Sequence, residues 1–232
     1  MLDTLNQLDH SLLLFLNYDG GGLCDMLWYA ISQMWVWLPF YGVLLYVLFL
    51  SAKPHERPVM QYLSLLVATA LLIVLADRLS SGVIKPIVMR LRPSHEPEYN
   101  LLLHYVADYR GGTYGFVSSH AANTVALATW IALLFRQRAV VFTMTLFALL
   151  NCYSRLYLGV HFPGDVLCGS VLGAVVAYVV YRAFSAFAGR FTPTPQAARL
   201  VPATMCLLLS LILCYSLVVV FLPSLSPLAN GC

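Results

Sequence analysis

Six long apolar segments recur along the chain, and they restrict the fold more than any other feature of the sequence. Each approaches the length of about 20 mostly apolar residues that a helix needs to cross the hydrocarbon core of a bilayer. Backbone N–H and C=O groups find no water there, so a spanning segment is helical in order to pair these groups internally. The sequence therefore predicts an all-α, polytopic membrane protein, a bundle of six transmembrane helices at residues 26–50, 59–84, 119–135, 139–153, 166–187 and 203–222.

The overall composition agrees with this assignment. Hydrophobic residues make up 60% of the 232 residues and charged residues only 10%, whereas soluble domains carry about 25% charged residues. So little polar surface could not cover the chain in water, and the lipid bilayer is its expected partner. The formal net charge of +3 is small and scattered, which argues against nucleic-acid binding. No linker or internal repeat divides residues 1–232, so we expect a single membrane domain.

The N-terminal residues predict a further helix that lies on the membrane surface. The segment 1–17 lacks a basic start, and Asp3, Asp9 and His10 interrupt its apolar residues, which is unlike a cleavable signal peptide. Its apolar side chains recur at helical spacing. We expect an amphipathic interfacial helix that ends in the glycine-rich run 18–22. The apolar set is Leu2, Leu5, Leu8, Leu12, Phe15 and Leu16.

Six spans would place both termini on one side of the membrane, together with the loops 85–118 and 155–165. Only residues 136–138 separate the third and fourth spans, which predicts a tight helical hairpin. The opposite side carries seven basic residues, and the side with the termini carries six. Several of these six are candidates for a binding site. The positive-inside rule then places the opposite side in the cytoplasm. We expect a bacterial inner-membrane protein whose polar clusters face the periplasm. The two basic sets are Lys53, Arg57, Arg136, Arg138, Arg182, Arg190 and Arg199 on the cytoplasmic side, and Arg78, Lys85, Arg90, Arg92, Arg110 and Arg155 on the other.

The six cysteines show no Cys-x-x-Cys pairing. Four lie in apolar stretches, where cysteine behaves as a small hydrophobic residue. A disulfide between Cys24 and Cys232 is conceivable if both face an oxidising compartment, and the sequence leaves this pairing open.

The first of three short polar clusters runs from Lys85 to Pro93 at the end of the second span. Basic residues at a helix end often form a juxtamembrane patch that touches lipid headgroups. They also suit phosphate recognition, because an arginine such as Arg92 grips two phosphate oxygens and Lys85 supplies a compact positive charge. Either use fits this cluster taken alone.

The second cluster, Ser118-Ser119-His120, opens the third span. Serine is a preferred N-cap, so the residues could serve the helix alone. The free N–H groups of a helix N-terminus also bind anions. His120 adds a titratable proton donor beside them.

The third cluster runs from Ser154 to Asp165. A lone histidine at a membrane boundary is more often interfacial packing than catalysis, but His161 and Asp165 are spaced i,i+4, which places them on one helix face. Pro163 suits the first turn of a helix that begins near His161. The aspartate can accept one ring N–H and leave the other nitrogen nucleophilic. Ionisable residues rarely enter spanning segments without a function. No set of His, Cys and carboxylate residues stands at metal-ligand spacing, so we expect no metal and no cofactor.

Together the clusters read K-x6-R-P, S-x-H and S-R-x5-H-x3-D. This pattern resembles the three-part motif of the type 2 phosphatidic acid phosphatase (PAP2) superfamily, which includes bacterial lipid phosphatases and the vanadium haloperoxidases. The motifs cover residues 85–165, and the six-helix layout extends the resemblance over most of the chain. The resemblance implies a cationic phosphate cradle of Lys85, Arg92 and Arg155. It also implies further phosphate donors in Ser118 and the backbone N–H of Ser119.

The resemblance implies catalytic roles for three residues. His161 would be the nucleophile that forms a phosphohistidine, and Asp165 would orient it. His120 would protonate the leaving oxygen and then assist the attacking water. The middle motif departs from the family, which usually has Pro-Ser-Gly-His where this chain has Val-Ser-Ser-His at 117–120. The extra side chain of Ser119 puts the substrate in doubt more than the activity.

We therefore expect a metal-independent membrane lipid phosphatase. By resemblance, undecaprenyl pyrophosphate and the phosphates of lipid A are the favoured substrates, and phosphatidylglycerol phosphate and phosphatidic acid are further candidates. The segment 94–116 is the candidate recognition loop, although its aromatic residues also suit a membrane interface. A phosphotransferase using the same phosphohistidine, or a non-catalytic transporter or scaffold, are the alternatives. The sequence does not determine the oligomeric state.

Overall fold

A computed structural model describes residues 2–52, 57–188, 191 and 193–222, and within these ranges the chain folds into helices without strands. A π-helical segment at Arg78–Ile84 joins the fourth helix to the fifth, and short 3-10 turns lie at Met34–Trp37 and Pro93–His95. The α-helices are α1 (Leu2–Leu16), α2 (Gly21–Ser32), α3 (Leu38–Ala52), α4 (Pro58–Asp77), α5 (Lys85–Val88), α6 (Ser119–Phe135), α7 (Arg138–Tyr157), α8 (Pro163–Ala188), α9 (Pro195–Ala198) and α10 (Leu200–Phe221).

Five helical stretches of the described chain are long and apolar enough to cross a membrane. The predicted third span, α6, is apolar but has 17 residues, which makes it shorter than these five. The structure thus confirms the all-helical class with five candidate spans, and the count of six stays a prediction. The five are Met34–Ala52, Pro58–Val88, Arg138–Tyr157, Pro163–Ala188 and Pro195–Phe221.

Helices α6 and α8 pack closely at the centre of the bundle because both present small residues to each other. A side chain placed on Gly169 would strike the carbonyl oxygen of Ser118, and one on Gly173 would strike that of Ala122. Small residues at such positions let two helix backbones approach in an apolar environment, where close packing is the main attraction. This contact joins the start of α6 to the start of α8, and both helices begin at predicted polar clusters.

The prediction of one continuous helix over residues 26–50 is wrong. The helix is interrupted at Gln33, between α2 and the turn that leads into α3. Gln33 has an extended backbone, with φ −83° and ψ 121°. The indole N–H of Trp37 donates to the carbonyl of Ile31 at 2.7 Å, and the Trp37 ring packs on Phe147. This tertiary packing ends α2, and an apolar run alone carries no sign of it.

The N-terminal segment is helical, as α1, and this helix packs onto the loops that hold the polar clusters. Leu13 is 1% exposed and packs with Leu103 and Phe162. Just after the helix, the amide of Asn17 donates to the carbonyls of His104 and Tyr157. Its location in the membrane interface stays a prediction. Cys232, the predicted partner of Cys24, lies outside the described residues.

Candidate active site

The three polar clusters come together at one end of the α6–α8 pair. Lys85, the first residue of α5, donates from its ammonium to the Ser119 hydroxyl oxygen at 3.3 Å. The backbone N–H of Ser118 donates to the carbonyl of Asp165 at 2.9 Å. The Arg92 guanidinium donates to the carbonyl of Val160 at 3.3 Å. Each predicted cluster is thus linked directly to another.

The His161–Asp165 pair depends on the first turn of α8. His161 lies just before the helix, and Asp165 is its third residue. One Asp165 oxygen, Oδ2, accepts the backbone N–H of Phe162 at 3.1 Å. A carboxylate at this position commonly reaches back to the N-cap N–H of its own helix, which fixes its rotamer. The same Oδ2 lies 3.4 Å from Nδ1 of His161.

Burial favours the neutral form of His161. It is 1% exposed. Burial, followed by the positive charges of Arg92 and Arg155, holds the pKa of His161 well below its ordinary value of 6.5. A neutral imidazole carries one N–H, and the carboxylate beside Nδ1 keeps the hydrogen there. Nε2 is then left with a free lone pair.

Two buried arginines form the main positive charge near His161. Arg92 is held by the carbonyls of Tyr114 and Val160, at 3.2 and 3.3 Å. Burial and the neighbouring charge of Arg155 lower the pKa of Arg92 from its ordinary value to about 10, which still leaves it protonated at neutral pH. Two like charges held together with little solvent favour an anion between them.

Arg155 has unused hydrogen-bonding capacity although it is 5% exposed. Its Nη2 donates to the Tyr109 hydroxyl at 3.1 Å. Its buried Nε has no hydrogen-bond partner among the described residues. Buried polar groups are normally paired, and an unpaired one in a cationic cluster marks a place for an anionic ligand.

The N-terminus of α6 adds neutral donors to the cluster. Ser118 is fully buried and caps the helix, its hydroxyl oxygen accepting the N–H of Ala121 at 3.3 Å. The hydroxyl hydrogen is still available as a donor. Ser119 stands at the first helical position, where backbone N–H groups have no intrahelical partner. These groups and the helix dipole favour an anion at this end of α6.

Asn151 fixes the orientation of His120, and the sequence motifs gave no sign of it. The Asn151 amide nitrogen donates to the carbonyl of Phe147 at 2.9 Å, so its carbonyl oxygen points the other way. That oxygen lies 3.3 Å from Nε2 of His120. It can only accept, so Nε2 carries a hydrogen, and Nδ1 is the ring nitrogen that this contact leaves free.

Four site residues were missed by motif analysis: Asp9, Arg90, Tyr109 and Asn151. Asp9 and Tyr109 contact the site from regions distant in sequence, and Arg90 lies inside the first cluster without being one of its motif positions. Gly115 also matters, because a side chain there would come within 2.7 Å of Asp165 Oδ2.

Outside this cluster, Asp19, Asp25 and His104 bring ligand-type atoms within 4.8 Å of one another. One oxygen of Asp25 accepts the hydroxyl of Tyr157 at 2.7 Å and lies 2.9 Å from Nε2 of His104. These contacts fasten the 94–116 loop to α2 and α7. Asp25 and His104 are therefore part of the loop anchorage.

The fold and the site define a helical membrane protein with a buried histidine–aspartate pair. Beside this pair lies a group of positively charged side chains suited to bind an anion. The model of one family, the PAP2 superfamily, matches residues 61–189, more than half of the chain. The chain belongs to the PAP2 superfamily, and it is a phosphatase, a hydrolase of phosphoric esters.

The relatives agree with this class. A lipid A 4′-phosphatase of Bacteroides thetaiotaomicron is 37% identical over 183 residues, which cover 78% of this chain and 79% of the relative. A lipid A 4′-phosphatase of Porphyromonas gingivalis is 33% identical over 183 residues, covering 79% and 75%. The undecaprenyl-diphosphatase BcrC of Bacillus subtilis is 39% identical over 67 residues, covering 29% and 34%. No solved structure gave a significant match.

Proposed function

We propose that this protein is a metal-independent phosphatase that removes a phosphate from lipid A through a phosphohistidine at His161. The observation that carries the proposal is the neutral His161, oriented by Asp165 at 3.4 Å beside the buried cations Arg92 and Arg155. Phosphoryl transfer requires mainly in-line positioning and stabilisation of charge on the equatorial oxygens. Fixed donors in a water-poor site supply that stabilisation.

In the first step, Nε2 of His161 attacks phosphorus and the bond to the leaving oxygen breaks. Asp165 accepts the Nδ1 hydrogen bond, which strengthens as the ring gains positive charge. His120 enters this step as an imidazolium, with hydrogens on both ring nitrogens, and gives the Nδ1 proton to the leaving oxygen. In the second step, His120 takes a proton from water, the water oxygen attacks phosphorus, and the P–N bond breaks. Inorganic phosphate leaves, and both histidines return to their starting states.

An apolar cavity beside His120 supports an amphiphilic substrate. It has a volume of about 320 Å³ and lies between α3, α4 and α6. His120 and Asn123 are at its polar part, and side chains such as Leu44, Ile73 and Leu127 line the rest. Ligand cavities of this kind are mostly apolar with a few polar groups that fix orientation. A lipid could keep a hydrocarbon chain here while its phosphate reacts.

Lipid A phosphate is the preferred substrate because the two relatives that align over most of the chain are lipid A 4′-phosphatases. Undecaprenyl pyrophosphate is the second candidate. The relative that acts on it aligns over 29% of this chain, so its weight is smaller. Phosphatidylglycerol phosphate and phosphatidic acid follow as weaker candidates. The 94–116 loop, through Tyr109 and its contact with Arg155, is the proposed recognition element.

For the membrane arrangement we propose one domain with six spans, α6 being the short sixth, and α1 at the interface. The site then faces the periplasm from the inner membrane. On the proposed periplasmic side, the side chains of Arg90, Arg92 and Arg155 are engaged in the site. We therefore leave them out of the count of basic residues that the positive-inside rule compares. The basic residues at the opposite end include Arg136, Arg138 and Arg182, which agrees with the positive-inside rule.

The test uses purified protein in detergent with EDTA. Lipid A 1,4′-bisphosphate, undecaprenyl pyrophosphate and phosphatidic acid are supplied separately, and released inorganic phosphate is measured. We expect phosphate from lipid A without an acceptor alcohol and no release by His161→Ala. Release should be unchanged in Thr204→Ala, whose hydroxyl donates to the carbonyl of Leu200 at 2.8 Å within α10. A requirement for added divalent metal would refute the metal-free mechanism. A requirement for an acceptor alcohol would favour the phosphotransferase.

A further inference from the structure

Helix α1 is attached to the start of α8 through Asp9. One Asp9 oxygen, Oδ1, accepts the backbone N–H of Gly164 at 2.7 Å. The approach is close, since a side chain on Gly164 would come within 3.0 Å of the other oxygen. Gly164 is the second residue of α8, so this N–H has no partner within the helix. A carboxylate from α1 thus caps the helix that carries Asp165.

Arg90 connects the same carboxylate to Asp165. Its Nη2 donates to Asp9 Oδ2 at 2.7 Å, and its Nη1 donates to Asp165 Oδ1 at 3.0 Å. The guanidinium carbon lies 4.2 Å above the ring of Phe162, which holds the plane of the fork. Only arginine presents two such donors at fixed spacing.

The consequence for Asp165 is that both of its oxygens are engaged. Oδ1 is held by Arg90, while Oδ2 is held by the Phe162 N–H and lies beside His161. Asp165 is fully buried, so Oδ1 would have no solvent partner if Arg90 were lost. The carboxylate could then rotate, and the hydrogen on Nδ1 of His161 would lose its fixed acceptor.

Asp9 in turn determines how Arg90 is used. It accepts the hydrogen bond from Nη2, so Nη1 is the guanidinium nitrogen that is directed at Asp165. Without Asp9 the cation could swing, or pair with Asp165 through both nitrogens and draw the carboxylate away from His161. The side chains are partly buried, 13% exposed for Asp9 and 21% for Arg90, so solvent only partly screens the pair.

We infer that Asp9 and Arg90 are positioning residues of the phosphatase site, so that the N-terminal helix holds Asp165 in register with His161. This inference rests on the proposed function, since it explains how the nucleophile is kept aligned. Asp9 acts through Arg90, and Arg90 acts through Asp165. Neither residue is assigned a contact with the substrate.

The experiment compares Asp9→Asn and Arg90→Lys with wild type in detergent. We expect kcat for lipid phosphate to fall by about 10- to 100-fold, in line with other residues that orient a reacting group, while KM stays the same. In an Asp165→Asn background, Asp9→Asn should cause no further loss, because its route to His161 is already broken. A role in folding alone would add to the loss in both backgrounds.

A second readout is vanadate binding, measured by 51V NMR without any turnover. Vanadate takes the five-coordinate geometry of the transferring phosphoryl group, so its affinity depends on the alignment of His161. We expect Asp9→Asn to weaken vanadate binding and to leave the thermal unfolding midpoint close to that of wild type. Asp19→Asn is the matched control, because exposed Asp19 also accepts a backbone N–H at a helix start, from Gly21 at 2.9 Å. It should change neither quantity.

Unchanged kcat and vanadate affinity in Asp9→Asn would overturn the inference. So would additive losses of Asp9→Asn and Asp165→Asn. These outcomes differ from failure of the proposed function, in which wild type would bind vanadate yet release phosphate from none of the lipids. The vanadate comparison would still decide the role of Asp9 in that case.

Discussion

The proposed contribution of Arg155 to catalysis can be tested with Arg155→Lys, which replaces the guanidinium group by a single ammonium. The side chain is 5% exposed, its Nη2 is used by Tyr109, and its buried Nε has no partner among the described residues. Arg155→Lys keeps the charge but, in the proposed mechanism, removes at least one charge-assisted hydrogen bond to the transferring phosphoryl group. Such a bond contributes about 1.5 to 3 kcal/mol. That corresponds to a loss in kcat/KM of about tenfold to 150-fold.

The assay measures initial rates of phosphate release from lipid A in mixed micelles across a range of substrate concentrations. Arg155→Gln should lose more activity than the lysine variant, because it removes the charge as well. Tyr109→Phe removes the hydroxyl that holds Arg155 in place but leaves the arginine itself. We expect it to lower kcat/KM less than Arg155→Lys does. An unchanged kcat/KM in Arg155→Lys, in protein whose unfolding midpoint matches wild type, would refute the proposed hydrogen bond from the Arg155 guanidinium to the phosphoryl group.

Three further predictions follow from individual contacts. Ser119→Gly restores the usual family residue and removes the hydroxyl that Lys85 contacts at 3.3 Å. We expect a changed substrate KM with kcat largely retained, and equal KM values would contradict this prediction. Asn151→Leu removes the acceptor that orients His120, and a reduced kcat with a normal vanadate affinity is expected, whereas wild-type kcat would exclude this role. The lowered pKa of His161 means that the unfolded chain binds a proton below pH 6.5 that the folded chain does not. This group should therefore lower the free energy of unfolding by about 1.4 kcal/mol for each pH unit below 6.5. If the unfolding midpoints of His161→Ala and wild type depended on pH in the same way, His161 would not contribute.

The helices and the motif residues could be predicted from the sequence because both are local patterns. Apolar runs of spanning length predicted the helical class. The spacing of His161 and Asp165 predicted their contact, which the structure shows at 3.4 Å. The break at Gln33 could not be predicted in this way, because it depends on Trp37 packing against Phe147 on another helix.

The residues that support the site were harder to predict for the same reason. Asp9 lies 81 residues from Arg90 in sequence, and Asn151 lies 31 residues from His120. Each pair forms only when α1 and α7 are packed in place. In the sequence Asp9 looks like a polar interruption of a surface helix, whereas its carboxylate is bound between Arg90 and Gly164. By helical spacing Asp9 shares a face with Leu5, Leu12 and Leu16, and an acidic residue on that apolar face was the signal that could have revealed it.

The central claim, a phosphohistidine at His161, is tested most directly by trapping the intermediate. An activated lipid phosphate is mixed with the His120→Ala variant, which lacks the group that assists water, and the reaction is quenched in alkali. The tryptic peptide spanning residues 156–182 contains His161 as its single histidine. We expect a burst of leaving group equal to the enzyme concentration and one phosphoryl group on this peptide at His161. A full burst with the phosphoryl group on another residue, or with none on this peptide, would contradict the account.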